Sequence, residues 1–148
     1  ERERAPAAAG QPTVAPALSA TPVLSLAEAK ARYLEIVTPY NTALEELEKA
    51  ANAGRSWTTV RTLAGKVAAA NAEHAQALRS TAWPDQVREP IAALLTQTDT
   101  AQRYWQRAAQ AKTAEELGSA IRSAALHSGS EPAAEIRSAL GLPPYRES

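Results

Sequence analysis

The chain has 148 residues, 16 of them basic and 16 acidic, so its formal charge at neutral pH is zero. That balance, with no local Lys/Arg cluster, excludes the basic footprint of a nucleic-acid binder and offers an anionic membrane surface little to attract. Cys is absent, which removes disulfides, thiolate metal sites and cysteine nucleophiles.

Residues 1–24 hold four of the ten prolines, are rich in Ala and show no apolar periodicity. Proline forbids regular helix here and large apolar groups are too scarce for a core, so the segment reads as a flexible Pro/Ala-rich linker. Met is absent, initiator included. A start after a processing site or an artificial boundary is therefore expected, with any signal peptide already removed.

From Ser25 the texture changes. Ser25 and Glu28 form a capping box, after which Tyr33, Val37, Tyr40, Leu44, Leu47 and Ala51 recur at alternating four and three residues. Pro39 lies within this stripe and is expected to bend the helix without ending it; Gly54 is the expected stop. Ser56 caps a second helix with the stripe Val60, Leu63, Val67, Asn71, His74 and Leu78, ending at Trp83-Pro84.

The third helix is expected from about Asp85 to Lys112 along Val87, Ile91, Leu94, Thr98, Ala101, Trp105 and Ala108. Pro90 leaves two alternatives: it opens the main helix after a short turn at 84–88, or it kinks the opening turn. Thr113 and Glu116 form a second capping box, opening a helix through Leu117, Ile121 and Ala124. The run at 127–132 should interrupt or kink it before a last segment with Ile136 and Leu140, stopped by Leu142-Pro143-Pro144. Short connections favour antiparallel neighbours. The expectation is an all-α, elongated up-down-up-down four-helix bundle over 25–144, with a C-terminal tail at 145–148.

The steps Pro39-Tyr40-Asn41 and Ala82-Trp83-Pro84, and the ending Leu140-Gly141-Leu142-Pro143-Pro144, occur here in that order. Over about 29–144 the chain resembles the small Ala-rich exported helical proteins and lipoproteins of actinobacteria. The Pro/Ala-rich segment is similar to the spacer that follows the lipidated cysteine in such proteins. The resemblance implies export and a lipid anchor upstream of the chain, and it assigns no role to any residue.

The chemistry-bearing residues are sparse. A carboxylate-bridged di-metal bundle needs Glu three residues before a His on each of two helices, and neither His74 nor His127 has one. No other ligand cluster, nucleophile turn or Gly-rich phosphate loop is visible, so no enzyme activity, metal or cofactor is expected. No apolar run approaches the ~18 residues of a membrane-spanning helix.

His74 lies on an apolar stripe, where a core histidine bonded to Asn71 one turn away is the plain explanation. Tyr33, Tyr40 and Trp105 read first as core rings in an Ala-rich interior, since Ala makes up roughly a quarter of the chain. Trp83 is expected to plug one end of the bundle. Trp57, opening the second helix, is the first choice for a partly exposed partner contact.

The leading functional reading is therefore a non-enzymatic, exported or surface-tethered helical domain acting through protein or cell-envelope contacts. The alternative is a carrier of a small apolar ligand, with a pocket between helices lined by Tyr33, Tyr40, Asn71, His74 and Trp105.

Overall fold

The computed structural model describes residues 22–145. Among them the chain forms α1 (Leu26–Asn52), α2 (Trp57–Ser80), α3 (Asp85–Ala109), α4 (Ala114–Ala125) and α5 (Ser130–Ala139). The last two are one arm of a four-helix bundle, broken at the joint and bent by 39°. All but the last few residues of the expected linker fall outside the described residues. Of its end, Leu24 donates its N–H to the Ala82 carbonyl at 3.0 Å and packs against the core.

The caps follow from the side chains present. Ser25 Oγ accepts from the Glu28 N–H at 3.1 Å while the Glu28 carboxylate accepts from the Ser25 N–H at 2.9 Å, so α1 opens on a complete capping box. Those bonds hold the exposed Glu28 carboxyl below its ordinary pKa. At Thr113 the box is altered: the hydroxyl accepts from Glu116, but the Glu116 carboxylate reaches the N–H of Lys112. Gly54 (φ 72°) closes α1 in a Schellman turn, with Arg55 bonded to Ala50 and Gly54 to Ala51. The same pattern at Gly141 closes α5 and sends the chain back across the bundle.

Four local expectations need correction. α2 ends at Ser80, because the Trp83 indole N–H folds back onto the Leu78 carbonyl at 2.9 Å and takes the place of a further turn. The ring itself is buried at that end of the bundle, edge-on to Tyr33. α3 starts at Asp85 as expected and carries Pro90 inside its opening turns, the second of the two alternatives, but it ends at Ala109 before Lys112. α5 already includes Ser130 to Pro132, because proline is tolerated in a first helical turn. On α1, Ala51 faces solvent while Ala50, Ala29 and Ile36 are buried beside the expected Tyr33, Val37 and Leu47.

The core is divided. One cluster joins the C-terminal half of α1 with the start of α2, the end of α3 and α4, around Leu47, Val67, Trp105 and Leu117. A second joins the start of α1 with the end of α2, the start of α3 and α5, around Tyr33, Leu78, Ile91 and Ile136. The buried polar residues Asn71, His74 and Thr98 lie at the level between them. α1 packs on α2, α2 on α3, and α3 on both α4 and α5, but the α-carbons of α1 stay more than 8 Å from those of α4 and α5. The fourth seam of the bundle is wide.

Candidate functional site

A cavity of about 550 Å³ occupies that seam between α1 and α5. Its floor is the buried Tyr33, Val37, His74 and Leu94, and its rim is the exposed Ser128, Ser130, Ser138 and Tyr145. The volume lies in the range of small-molecule sites, which combine apolar walls with a few polar groups. Two other depressions are less suited. One of 470 Å³, at the N-terminal joint, is lined by exposed and half-buried residues without a buried floor. One of 400 Å³, beside α4, is walled largely by small and polar side chains.

The local causes of the opening are visible. Gly129 adopts φ 72°, a left-handed conformation that lets α4 end and α5 leave at an angle. A Cβ there would stand 2.6 Å from Leu94 Cδ1, so the backbone passes directly over the cavity floor. Beyond Gly141, residues 142–145 run along the rim. The strap is tied by Arg137 Nε to the Pro143 carbonyl at 2.8 Å, by the Arg137 guanidinium 5.7 Å above the Tyr145 ring, and by the Tyr145 hydroxyl to the Glu45 carboxylate.

His74 is the unusual group on the floor. Its ring stacks on Tyr40 at 5.2 Å with 24° between planes, and both ring nitrogens are buried with no hydrogen-bond partner among the described residues. Burial pulls its pKa down to about 4, so the imidazole is neutral at pH 7, one nitrogen a donor and the other an acceptor. Burial pushes the Tyr33 phenol up, with the Arg137 guanidinium beside it opposing. Burial likewise pushes Tyr40 up, opposed by the Trp105 indole and reinforced by Glu48. Both phenols are therefore protonated at pH 7.

Of the residues singled out from sequence, the structure brings Tyr33, Tyr40 and His74 together on this cavity. Asn71 is elsewhere: its amide N–H donates across to the Thr98 carbonyl at 3.1 Å and to Gln102 Oε1 at 2.7 Å. It is thus spent on fixing α2 against α3, and the expected Asn71–His74 bond does not form. Trp105 is buried in the first core cluster and also lines no part of the cavity. Trp57 packs half-buried against that cluster with Arg61 5.0 Å above its ring, and takes no part either.

Asn41, Arg137, the joint serines and the strap were not singled out from sequence. The signal for the joint was its helix break, and Arg137 follows Ile136, the one fully buried residue of α5. His127, at the joint, stacks on Tyr104 at 5.8 Å and meets Gln97 at 3.1 Å, which accounts for it structurally. No group of three or more His, Asp or Glu capable of sharing a metal ion occurs among the described residues, nor is any helix there long and apolar enough to cross a membrane. No known family, curated protein or solved structure matches the chain.

Proposed function

We propose that this protein is a small-ligand-binding helical domain, and that the seam between α1 and α5 is its binding site. One observation carries the reading: a cavity of about 550 Å³ opens between α1 and α5 over a buried floor of Tyr33, Val37, Leu94 and the His74 ring. Buried polar groups normally find partners, and leaving one without costs about 1–3 kcal/mol. Both His74 nitrogens lie beneath the cavity surface, so a ligand reaches them only if the ring shifts.

A domain working through protein contacts has less support. Trp57 is half-buried under Arg61, and the exposed large apolar side chains are spread over Val23, Leu26, Leu126 and Tyr145. We also propose that the protein is exported and held at the cell surface. The composition of residues 1–24 and the resemblance to actinobacterial exported proteins support that location, which fractionation of the native host would test.

The binding reading is tested with an uncharged, environment-sensitive dye such as N-phenyl-1-naphthylamine. The full chain should take it up saturably and near one to one. Ala134→Phe, which places a ring from an exposed rim position into the cavity, should weaken uptake at least tenfold while circular dichroism is unchanged. Absence of saturable uptake, or uptake indifferent to this substitution, would contradict the reading.

A further inference from the structure

We infer that the cavity selects a single-chain carboxylate, its alkyl chain on the apolar floor and its head group on Arg137. This rests on the binding reading above and adds the ligand's charge and the residue that reads it.

The lining is asymmetric in charge. Among the described residues Arg137 is its one formally charged member, and no Asp or Glu lines the cavity. The Tyr33 and Tyr40 hydroxyls, Asn41 and the serines of α5 and the joint can each donate a hydrogen bond, while the Tyr145 hydroxyl is spent on Glu45. Glu45, the acidic side chain that reaches the strap, is occupied by the Tyr145 hydroxyl. A cationic ligand would therefore meet a guanidinium with no lining carboxylate, and a neutral one would leave the cation unused.

Arg137 is also held in place. Its Nε bond to Pro143 and its position over Tyr145 fix the plane of the guanidinium on a half-buried side chain beside the Tyr33 oxygen. The guanidinium also donates toward the Tyr33 oxygen, and its other terminal N–H groups offer a fork that matches the two oxygens of a carboxylate. The apolar part follows from the other wall. Val37, Leu44 and Leu94 supply the apolar lining, an environment for methylene groups.

The experiment is isothermal titration calorimetry of the full chain with dodecanoate, dodecanol and dodecylamine, each below its aggregation threshold. Dodecanoate should bind at least tenfold more tightly than dodecanol, and dodecylamine more weakly than either. Arg137→Gln should abolish the acid-over-alcohol preference. Arg137→Lys, which keeps the charge but loses the fork, should retain part of the preference and covers the case in which Arg137→Gln does not fold. Equal binding of acid and alcohol, unaltered by either substitution, overturns the carboxylate assignment while the binding reading stands. If none of the three compounds binds while the dye does, the alkyl carboxylate is overturned alone; if the dye also fails to bind, or if Ala134→Phe leaves binding unchanged, the binding reading itself is overturned.

Discussion

His74 carries a stability cost that pH can reveal. Its folded pKa of about 4 lies below the ordinary value of 6.5 because burial penalises the charged ring. As pH falls from about 6.5 toward 4 the unfolded chain takes up a proton that the folded chain refuses, so stability falls across that window and levels off below it. The shift corresponds to roughly 3 kcal/mol at the end of the window. Urea unfolding at pH 7 and pH 4.5 should show a fall of about 2–3 kcal/mol in the wild type, and most of it should vanish in His74→Phe. An equal fall in both proteins would mean that His74 is not the group responsible. The cap at Glu28 works in the same direction, its contribution being lost as pH falls from the ordinary value of 4.5 through the lowered one, outside most of this window.

At the scale of elements, the α4–α5 joint was legible in the sequence as a break but not as a shape. His127 to Pro132 announced the break, since Gly lacks a strong helix preference and Pro cannot continue one. Which residue would turn, and over what, depends on a tertiary neighbour: Gly129 lies against Leu94, 35 positions earlier in the chain. Gly54 provides the internal comparison, having the same φ of 72° but no atom within 4 Å of where its Cβ would stand.

Both Gly54→Ala and Gly129→Ala should lose about 1–2 kcal/mol from left-handed backbone strain, read as a drop in the urea midpoint. Only Gly129→Ala should also weaken dye uptake, because its methyl group must displace Leu94, a side chain of the cavity floor. Equal dye binding by the two variants would show that the joint does not shape the site. The caps and stripes, by contrast, were legible because they rest on neighbours three or four residues away. The place of Pro90, which the sequence left between two alternatives, and the end of α2 share a cause. A proline within a helix and an indole folded onto a helix end are both decided by packing, which periodicity does not contain.

At the scale of the whole molecule, the apolar stripes specify four helices but do not say how tightly the fourth seam closes. The aromatic and polar residues of those stripes were visible as a set, Tyr33, Tyr40, Asn71, His74 and Trp105, yet they separate in space. Asn71 bonds across to α3 and Trp105 joins one core cluster, while Tyr33, Tyr40 and His74 face the gap toward α5. A stripe identifies the inward face of a helix, but the partner that each residue meets is set by the crossing of neighbouring helices. Two apolar clusters fill the ends with polar groups between them, and the seam over the second cluster is where we propose that a ligand binds.

That claim is tested most directly by ¹H–¹⁵N correlation spectra of the full chain during titration with dodecanoate. Binding in the seam predicts saturable shifts concentrated at Tyr33, Val37, Tyr40, His74 and residues 128–138, with Trp57 and its neighbours unmoved. Shifts centred on Trp57, or no saturable change along the α1–α5 seam, would contradict it.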